Sequence, residues 1–335
     1  MLAGIGNVGK AFYGLVQEKH EFIQKLYGLD LRFKAVLKSD GGHLFGSVPG
    51  KGQRPDIAVW LSSSGPRWNP GLTAEAALKM GRPGVFVECT PSNIRTGEPG
   101  CRHIRAALKA GWHVVTANKG PLMVDFKGLR DLARRNHVWL KYSAATAAAL
   151  PTLDVAIYSL AGAEIQAIEG ILNGTSNYVL TRMGEGEDYA EALRNAQDKG
   201  IAEPNPELDV KGWDTAVKLL LIANSALGLD LTLQEIKVGG ITRLAPDLLE
   251  KAKREGKAVK LIGRMTHSAG RWEGKVSPEI LDPSHPLFGV NGMNKGITFV
   301  TDTMGCITVT GGKSDPRGAA AALLKDIINI FSPLP

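Results

Sequence analysis

An aspartate and a lysine at helical spacing, preceded by an acidic segment, are the side chains best suited to acid–base chemistry in this sequence. The acidic segment runs from Glu203 to Asp209, and Asp214 and Lys218 follow it. Residues four apart lie on one face of a helix, so Asp214 and Lys218 can form an ion pair. The residues from Leu219 to Ile222 are apolar, which predicts a largely buried helix where unpaired charges are expensive. A functional pair and a purely structural pair both fit this pattern.

A glycine-rich turn near the start of the chain predicts a dinucleotide site. Gly4, Gly6 and Gly9 enclose Asn7 and Val8 in a G-x-G-x-x-G pattern between a short apolar strand and a helix. The first glycine permits the tight turn, the second lets a pyrophosphate approach the backbone, and the third allows close helix packing. Free amides at the helix start would then bind phosphate. The alternative is an ordinary glycine turn.

The end of the second predicted strand bears on the choice between NADP and NAD. Lys38 and Ser39 can bind a 2'-phosphate, whereas Asp40, one residue later, can bind the ribose hydroxyl of NAD. We therefore expect NADP, with a slight preference, or NAD as the cofactor. A solvated lysine at a strand end is the alternative for Lys38.

Each of two later apolar strands is followed by polar residues: Thr90 and Pro91 after one, and Asn118 and Lys119 after the other. In a doubly wound sheet these positions lie at the carboxyl edge, where ligands bind. A lysine there, partly desolvated by a cofactor, can exchange a proton near neutral pH. The alternative is a lysine that simply meets solvent.

A third strand runs directly into a turn and a helix in the segment from Ile171 to Asn177. Thr175 or Ser176 is expected to cap the helix, and the free amides beside Gly174 can receive a substrate carboxylate. A capped helix with no ligand is the alternative.

The elements that must position these residues predict an α/β chain with two domains. Up to about Tyr142, short β-branched segments alternate with helices, which indicates a Rossmann-like, doubly wound parallel sheet. After that the pattern changes to a second, α+β domain with helices on one face of a sheet. We expect residues 1–143 to bind the dinucleotide and residues 144–315 to bind substrate and dimerise. The closing helix, 316–331, is expected to pack back on the first domain.

Individual elements are predicted in both domains. The predicted strands are Arg32–Lys38, Ile57–Leu61, Val85–Cys89, His113–Ala117, Val138–Tyr142, Glu164–Leu172, Lys257–Thr266, Arg271–Val276, Gly296–Thr301 and Cys306–Thr310. The predicted helices are Cys101–Ala110, Val124–Asn136, a long helix after Pro151, Val210–Leu227 and Pro316–Ile330.

Composition narrows the class of protein. The net charge of +7 is spread along the 335 residues without basic runs, which argues against nucleic-acid binding. No stretch approaches the roughly 18 apolar residues of a membrane span. The start lacks a secretory signal, and three cysteines without paired spacing suit a reducing compartment. We expect a cytoplasmic protein whose partner is a small molecule.

Together these motifs resemble homoserine dehydrogenase, in family order along nearly the whole chain. The Asn-Gly-Thr-x-Asn loop starting at Asn173 and the pattern linking Asp209, Asp214 and Lys218 are the most specific matches. The resemblance implies reversible NAD(P)H-dependent reduction of L-aspartate 4-semialdehyde to L-homoserine, in threonine, methionine and isoleucine biosynthesis. It also implies a homodimer.

The resemblance also implies residue roles. Lys119 and Lys218 would lie around the reacting oxygen, with one of them supplying or removing its proton, and Asp214 would orient Lys218 and the substrate hydroxyl. Glu203 and Asp209 would supply negative charge for the substrate ammonium or hold the lysine network. Gly174 and Thr175 would line the substrate pocket, and Gly312 would lie at the cofactor.

The chain departs from the family pattern at two positions. Ser143 stands where many members carry an acidic residue at a monovalent-cation site, so we expect no metal, and Ile201 stands where an aromatic residue is common. We expect a native N-terminus a few residues longer, since few residues precede the glycine turn. We expect no C-terminal regulatory domain and therefore no threonine feedback through one.

Three alternatives stay open at this point. The scaffold also suits another amino-acid or semialdehyde dehydrogenase. A phosphorylating semialdehyde dehydrogenase would need a nucleophilic cysteine such as Cys89, for which the sequence offers no obvious activating histidine. A non-catalytic dinucleotide sensor would keep Gly4 to Gly9 but would have no use for Asp214 and Lys218.

Overall fold

Two units make up the chain, Met1–Ala148 with Asp315–Pro335 and Ala149–Ser314. The computed structural model describes residues 1–45, 68–312 and 314–332. The strand predicted at Ile57–Leu61 lies outside these described residues. None of the described helices is long and apolar enough to cross a membrane.

The first unit contains the predicted Rossmann-like sheet, with strand order β4-β3-β2-β1-β5-β6-β7. Its strands are β1 (Leu2–Ala3), β2 (Ala35–Lys38), β3 (Gly41–Leu44), β4 (Trp68–Pro70), β5 (Val85–Glu88), β6 (His113–Thr116) and β7 (Leu140–Lys141). The pairs from β2 through β1, β5 and β6 to β7 are parallel, which confirms the predicted fold class. Two antiparallel pairings add β3 and β4 at the edge.

Helices cover both faces of this sheet. They are α1 (Asn7–Glu18), α2 (His20–Tyr27), α3 (Ala74–Met80), α4 (Gly100–Lys109), α5 (Lys119–Arg135), α6 (Ser143–Ala147) and, from the end of the chain, Pro316–Phe331. Phe86 and Val87 are consecutive in β5 and are buried in two different cores, as expected for a strand covered on both faces. The helix Pro316–Phe331 joins the second of these cores through Leu323 and Ile327.

The second unit has a six-stranded sheet in the order β13-β12-β8-β10-β11-β9. Its strands are β8 (Ile165–Ile171), β9 (Ile236–Val238), β10 (Ala258–Ser268), β11 (Arg271–Leu281), β12 (Lys295–Thr301) and β13 (Cys306–Gly311). The helices are α7 (Thr152–Asp154), α8 (Gly174–Glu185), α9 (Tyr189–Asp198), α10 (Glu207–Val210), α11 (Trp213–Ala226) and α12 (Pro246–Arg254). The helix Pro316–Phe331 is therefore α13. Helix α11 packs closely against strand β10 of this sheet. A Cβ added at Gly263 in β10 would lie 3.0 Å from the Thr215 side chain of α11.

Three predicted helices differ from the structure. The helix predicted from Val210 begins instead at Trp213, because Gly212 has a φ of +84° and separates it from α10. The prediction of a long helix after Pro151 was wrong, since α7 continues only as a π-helical turn, Val155–Ser159. Helix α5 begins at Lys119 and is kinked at Asp125, whose φ of −149° and ψ of 49° are not helical, so the helix predicted from Val124 corresponds to its second part. The predicted catalytic lysine lies on the first turn of the first part.

Lys260 is one of two lysines, with Lys295, that are only 1% exposed in the second unit. Its ammonium donates to the Val290 carbonyl and the Asn291 Oδ1, each at 2.7 Å. Burial lowers the pKa of Lys260 from 10.5 to about 8. The unfolded chain therefore holds this proton more tightly than the folded chain above about pH 8.

A Lys260→Met variant should show how this proton affects stability. Because the folded pKa is the lower one, the stability of the wild type should rise as the pH increases from about 7 to about 9.5, by about 2 kcal/mol relative to the variant. That corresponds to a relative gain of about 5 °C in Tm. Thermal melting of both proteins at the two pH values measures it, and parallel Tm changes would contradict the assigned titration.

Candidate active site

The glycine turn between β1 and α1 has the backbone geometry of a phosphate cradle. A side chain on Gly4 would lie 2.4 Å from the Cys89 carbonyl carbon, and one on Gly9 would lie 2.0 Å from the Gly4 oxygen. At Gly6, by contrast, an added Cβ meets nothing within 4 Å. Gly4 and Gly9 are therefore required by packing, while Gly6 leaves open space beside the start of α1. This arrangement fits the pyrophosphate of a dinucleotide.

The remaining residues of the turn and of the next strand end lie where the sequence predicted them. Asn7 and Val8 begin α1, with Asn7 exposed and Val8 half-buried. Lys38 ends β2 with its ammonium 3.7 Å from Asp40 Oδ1, and Ser39 follows it, exposed. Lys38 also lies over the Trp68 ring, 5.3 Å from its centroid.

A buried carboxylate, to which the sequence analysis gave no role, organises the ends of β5 and β6. Glu88 is 0% exposed, and its Oε1 accepts hydrogen bonds from the backbone amide and the hydroxyl of Thr90. Its Oε2 accepts from the Thr116 hydroxyl at 3.3 Å. Asn118 completes the set by donating to the Thr90 Oγ1 at 3.3 Å. The predicted residues Thr90 and Asn118 are thus held together at one edge of the sheet.

Lys119 follows directly as the first residue of α5 and is half-buried. The Asn118 side chain caps this helix by accepting from the Gly120 amide at 3.0 Å. The other side of the Asn118 amide points toward the Pro91 carbonyl, at 3.5 Å. Lys119 and Pro91 therefore lie on neighbouring segments at the carboxyl edge of the first sheet.

In the second unit, one connected cluster forms around the end of β8. Lys218 pairs with Asp214 at 2.6 Å and donates to the Leu172 carbonyl at 2.9 Å. The Asn173 amide donates to Asp209 Oδ1 at 2.6 Å and to Asp214 Oδ2 at 2.8 Å. The side chains of Lys218 and Asp214 are only 16% and 11% exposed. The predicted ion pair on a buried helix is confirmed, and Asp209 belongs to the same cluster.

The start of α8 differs in detail from the sequence prediction. Its cap is Asn173, whose Oδ1 accepts from the Ser176 amide at 2.8 Å, so the prediction of Thr175 or Ser176 as the cap was wrong. Thr175 instead donates to the Ile201 carbonyl at 3.0 Å. A side chain on Gly174 would lie 2.9 Å from the Met293 carbonyl oxygen, so the backbone is closely packed there.

Two predicted residues of the second unit lie apart from this cluster. The Glu203 side chain is exposed, and its backbone carbonyl accepts from Gln197 at 3.3 Å. Gly312 follows β13 with a φ of +72°, and a side chain there would lie 2.6 Å from the Leu150 amide nitrogen. Packing alone explains why Gly312 is a glycine.

Two side chains bear on expectations from the sequence: the Cys89 thiol on a cysteine nucleophile, and Ser143 on a cation site. Burial, and then the Glu88 carboxylate, raises the pKa of the Cys89 thiol, so a nucleophilic thiolate is disfavoured there. Ser143 donates to Asp326 Oδ1 at 2.8 Å and accepts from the Lys325 ammonium at 2.9 Å. The described part of the chain contains no group of three or more His, Cys, Asp or Glu side chains arranged for a metal ion.

Comparison with known proteins decides between the remaining dehydrogenases. A family model described as "Homoserine dehydrogenase" matches residues 151–328, and one described as "Homoserine dehydrogenase, NAD binding domain" matches residues 4–143. The chain belongs to the homoserine dehydrogenase family. It is accordingly an NAD(P)-dependent oxidoreductase that interconverts L-aspartate 4-semialdehyde and L-homoserine.

Two relatives and one solved structure match this chain along nearly their whole length. The homoserine dehydrogenase of Methanocaldococcus jannaschii is 35% identical, with 99% of this chain and 98% of that protein covered. The NAD(+)-dependent homoserine dehydrogenase of Pseudomonas canavaninivorans is 36% identical, with 98% and 95% covered. A crystal structure from Archaeoglobus fulgidus, provisionally identified as a homoserine dehydrogenase, has a TM-score of 0.86 at 33% identity, with 99% and 98% covered.

Proposed function

We propose that this protein uses Lys119 and Lys218 to exchange the proton of the reacting oxygen. The observation that carries the proposal is the buried cluster of Lys218 with Asp214, Asn173 and the Leu172 carbonyl. The Lys218 side chain is largely buried and lies beside the segment that joins β8 to α8. Lysines on the surface usually serve solubility, so this burial supports a role in the reaction.

The charges of the cluster suit an amino-acid substrate. Two carboxylates, Asp209 and Asp214, accept from the same Asn173 amide, and carboxylates are the groups that bind a substrate ammonium by charge-assisted hydrogen bonds. The first amides of α8, at Gly174 and Thr175, are suited to the substrate carboxylate, because the start of a helix attracts anions. We assign Glu203, on its exposed loop, to the outer side of this pocket.

The first unit would hold the cofactor, which supplies or accepts the hydride when bound. Gly4, Gly6, Gly9 and the first residues of α1, Asn7 and Val8, would hold its pyrophosphate. We assign Thr90, Pro91, Asn118 and Gly312 to the rest of the cofactor site. In the direction of semialdehyde reduction the carbonyl carbon gains hydride while a lysine ammonium gives its proton to the carbonyl oxygen. In the oxidation of homoserine the neutral lysine takes the hydroxyl proton back.

Steady-state assays with L-homoserine and L-aspartate 4-semialdehyde test this assignment. The purified protein should turn over both substrates with NADP(H) or NAD(H), and should not turn over other amino-acid alcohols at comparable kcat/KM. Dinucleotide binding with no turnover of either substrate would instead identify a sensor.

We propose a slight preference for NADP over NAD, carried by Lys38 and Ser39. The relative from Pseudomonas canavaninivorans is named as NAD(+)-dependent, so NAD stays the alternative cofactor. The Lys38 ammonium lies 3.7 Å from Asp40 and its side chain is 36% exposed, so it is accessible to a 2'-phosphate. Asp40 would accept the ribose hydroxyl when NAD binds.

Lys38→Ala should lower kcat/KM for NADPH by about 10-fold, because a charge-assisted hydrogen bond to phosphate is lost. The value for NADH should change by less than about twofold. Lys25→Ala, at an exposed lysine of α2, is the matched control. Equal losses with NADPH and NADH would remove Lys38 from the 2'-phosphate site.

We further propose a cytoplasmic homodimer. The three cysteines are unpaired, as expected in a reducing compartment. The second unit exposes large apolar side chains, including those of Ile280, Met293 and Met304 at 37%, 40% and 46%. Sedimentation of the purified protein should give the mass of two chains, and cell fractionation should recover it with cytoplasmic enzymes.

A further inference from the structure

Asn173 has every polar atom of its side chain in use, and its amide can therefore face only one way. Its Oδ1 accepts from the Ser176 amide at 2.8 Å, which caps α8. Its Nδ2 donates to Asp209 Oδ1 at 2.6 Å and to Asp214 Oδ2 at 2.8 Å. A flipped amide would set oxygen against two carboxylates, so the cap and the two carboxylate contacts fix each other.

The two carboxylates that share this amide come from different elements. Asp209 belongs to α10 and Asp214 to α11, on either side of the left-handed turn at Gly212. Two like charges this close repel each other unless a donor lies between them. The Asn173 amide has two hydrogens, one for each carboxylate, and Asp214 Oδ2 also accepts from Lys218 at 2.6 Å.

We propose that Asn173 is a positioning residue, which holds Asp209 and Asp214 together and, through Asp214, sets the direction of the Lys218 ammonium. This proposal rests on the function proposed above. Asp214 then orients the group that exchanges the proton, while Asp209 stays near the substrate ammonium. A neutral amide is needed at residue 173 because it donates twice without adding charge, and only a short side chain can also cap the helix.

A purely structural role as a helix cap makes different predictions. Asp and Ser cap helices about as well as Asn, so both replacements keep the cap. Asn173→Asp has nearly the same shape but places a third acceptor beside two carboxylates. Asn173→Ser is uncharged and too short to bridge Asp209 and Asp214. Asp188→Asn, at the cap of α9 where Asp188 accepts from the Glu191 amide at 2.8 Å, is the matched control.

Steady-state kinetics with homoserine, NADPH binding and thermal melting of the four proteins test the proposal. We expect Asn173→Ser and Asn173→Asp to lose about 100-fold in kcat/KM, since a displacement near 1 Å has such effects. In Asn173→Ser the loss should be divided between a lower kcat, through Lys218, and a higher KM, through Asp209. NADPH affinity should be unchanged, and Asp188→Asn should behave as the wild type. Wild-type kcat and KM in Asn173→Ser would overturn the positioning role.

Crystal structures of the wild type and Asn173→Ser give a second readout that needs no activity. We expect the Asp214–Lys218 contact, 2.6 Å in the wild type, to break or shift in the variant. An unmoved Asp209–Asp214–Lys218 cluster would overturn the proposal, even if the wild type itself failed to turn over homoserine. That second failure would refute the proposed function, so the two outcomes are distinguished.

Discussion

Lys218→Met should reduce kcat for homoserine oxidation by about 1000-fold, and Lys119→Met should have an effect of similar size. Proton transfer by a positioned side chain contributes roughly 100-fold to 10,000-fold to a rate, and methionine keeps the length of lysine without a proton to exchange. Steady-state rates with saturating cofactor measure the effect. NADPH affinity should persist in Lys218→Met, because Lys218 pairs with Asp214 and the Leu172 carbonyl and is assigned to the substrate and not to the cofactor.

Lys211→Met is the matched control for this pair of variants. Lys211 lies in the same segment as Lys218 and also forms an i,i+4 ion pair, with Glu207 at 2.7 Å, but its side chain is 50% exposed. We expect a wild-type kcat in Lys211→Met, since exposed pairs contribute little. Undiminished turnover in both Lys119→Met and Lys218→Met would refute their assigned roles. If both lysines act on one proton, the double variant should be about as slow as the slower single variant.

Gly6→Ala should raise the dissociation constant for NADPH by at least about 10-fold while leaving Tm unchanged. The backbone at Gly6 has a φ of −74° and no atom within 4 Å of an added Cβ, so alanine fits the folded chain. Its methyl group would instead occupy the space through which a pyrophosphate approaches the turn. Titration of the protein with NADPH, followed by fluorescence, measures the change.

Two other glycines separate this effect from loss of folding. Gly9→Ala would place its Cβ 2.0 Å from the Gly4 oxygen, so it should lower Tm by about 5 °C as the turn is forced apart. Gly14→Ala, in the open middle of α1, has no atom within 4 Å of the new methyl group and should keep wild-type NADPH affinity. Equal affinity in Gly6→Ala and Gly14→Ala would exclude the turn from the phosphate site.

Much of the first sheet was predictable because its signals are local. Parallel strands covered on both faces appear as short apolar segments, as in Val85 to Glu88 and His113 to Thr116. The Asp214–Lys218 pair was equally accessible, since the helical repeat alone places the two side chains together. The roles of Lys119 and Lys218 toward one oxygen stay predictions.

The errors and omissions arise where distant residues decide the structure. Gly41 and Gly42 give strand β3 little intrinsic propensity, yet pairing with β2 and β4 forms it. Gly212 lies in a segment that otherwise has helical character, and its left-handed conformation separates α10 from α11. In the sequence, Asn173 has the character of a turn residue beside Gly174. Its role was missed because its two carboxylate partners are 36 and 41 residues away. No local pattern indicates a hydrogen bond over that separation.

The position of α13 along the chain determines when the first unit can fold during translation. This helix completes the core around Phe12 and Val16 of the first unit, yet it is translated after all of the second unit. The nascent first unit therefore exposes apolar surface until α13 has been synthesised, while the continuous second unit can fold earlier. A chaperone that binds nascent chains therefore has the most time to bind the apolar surface of the first unit.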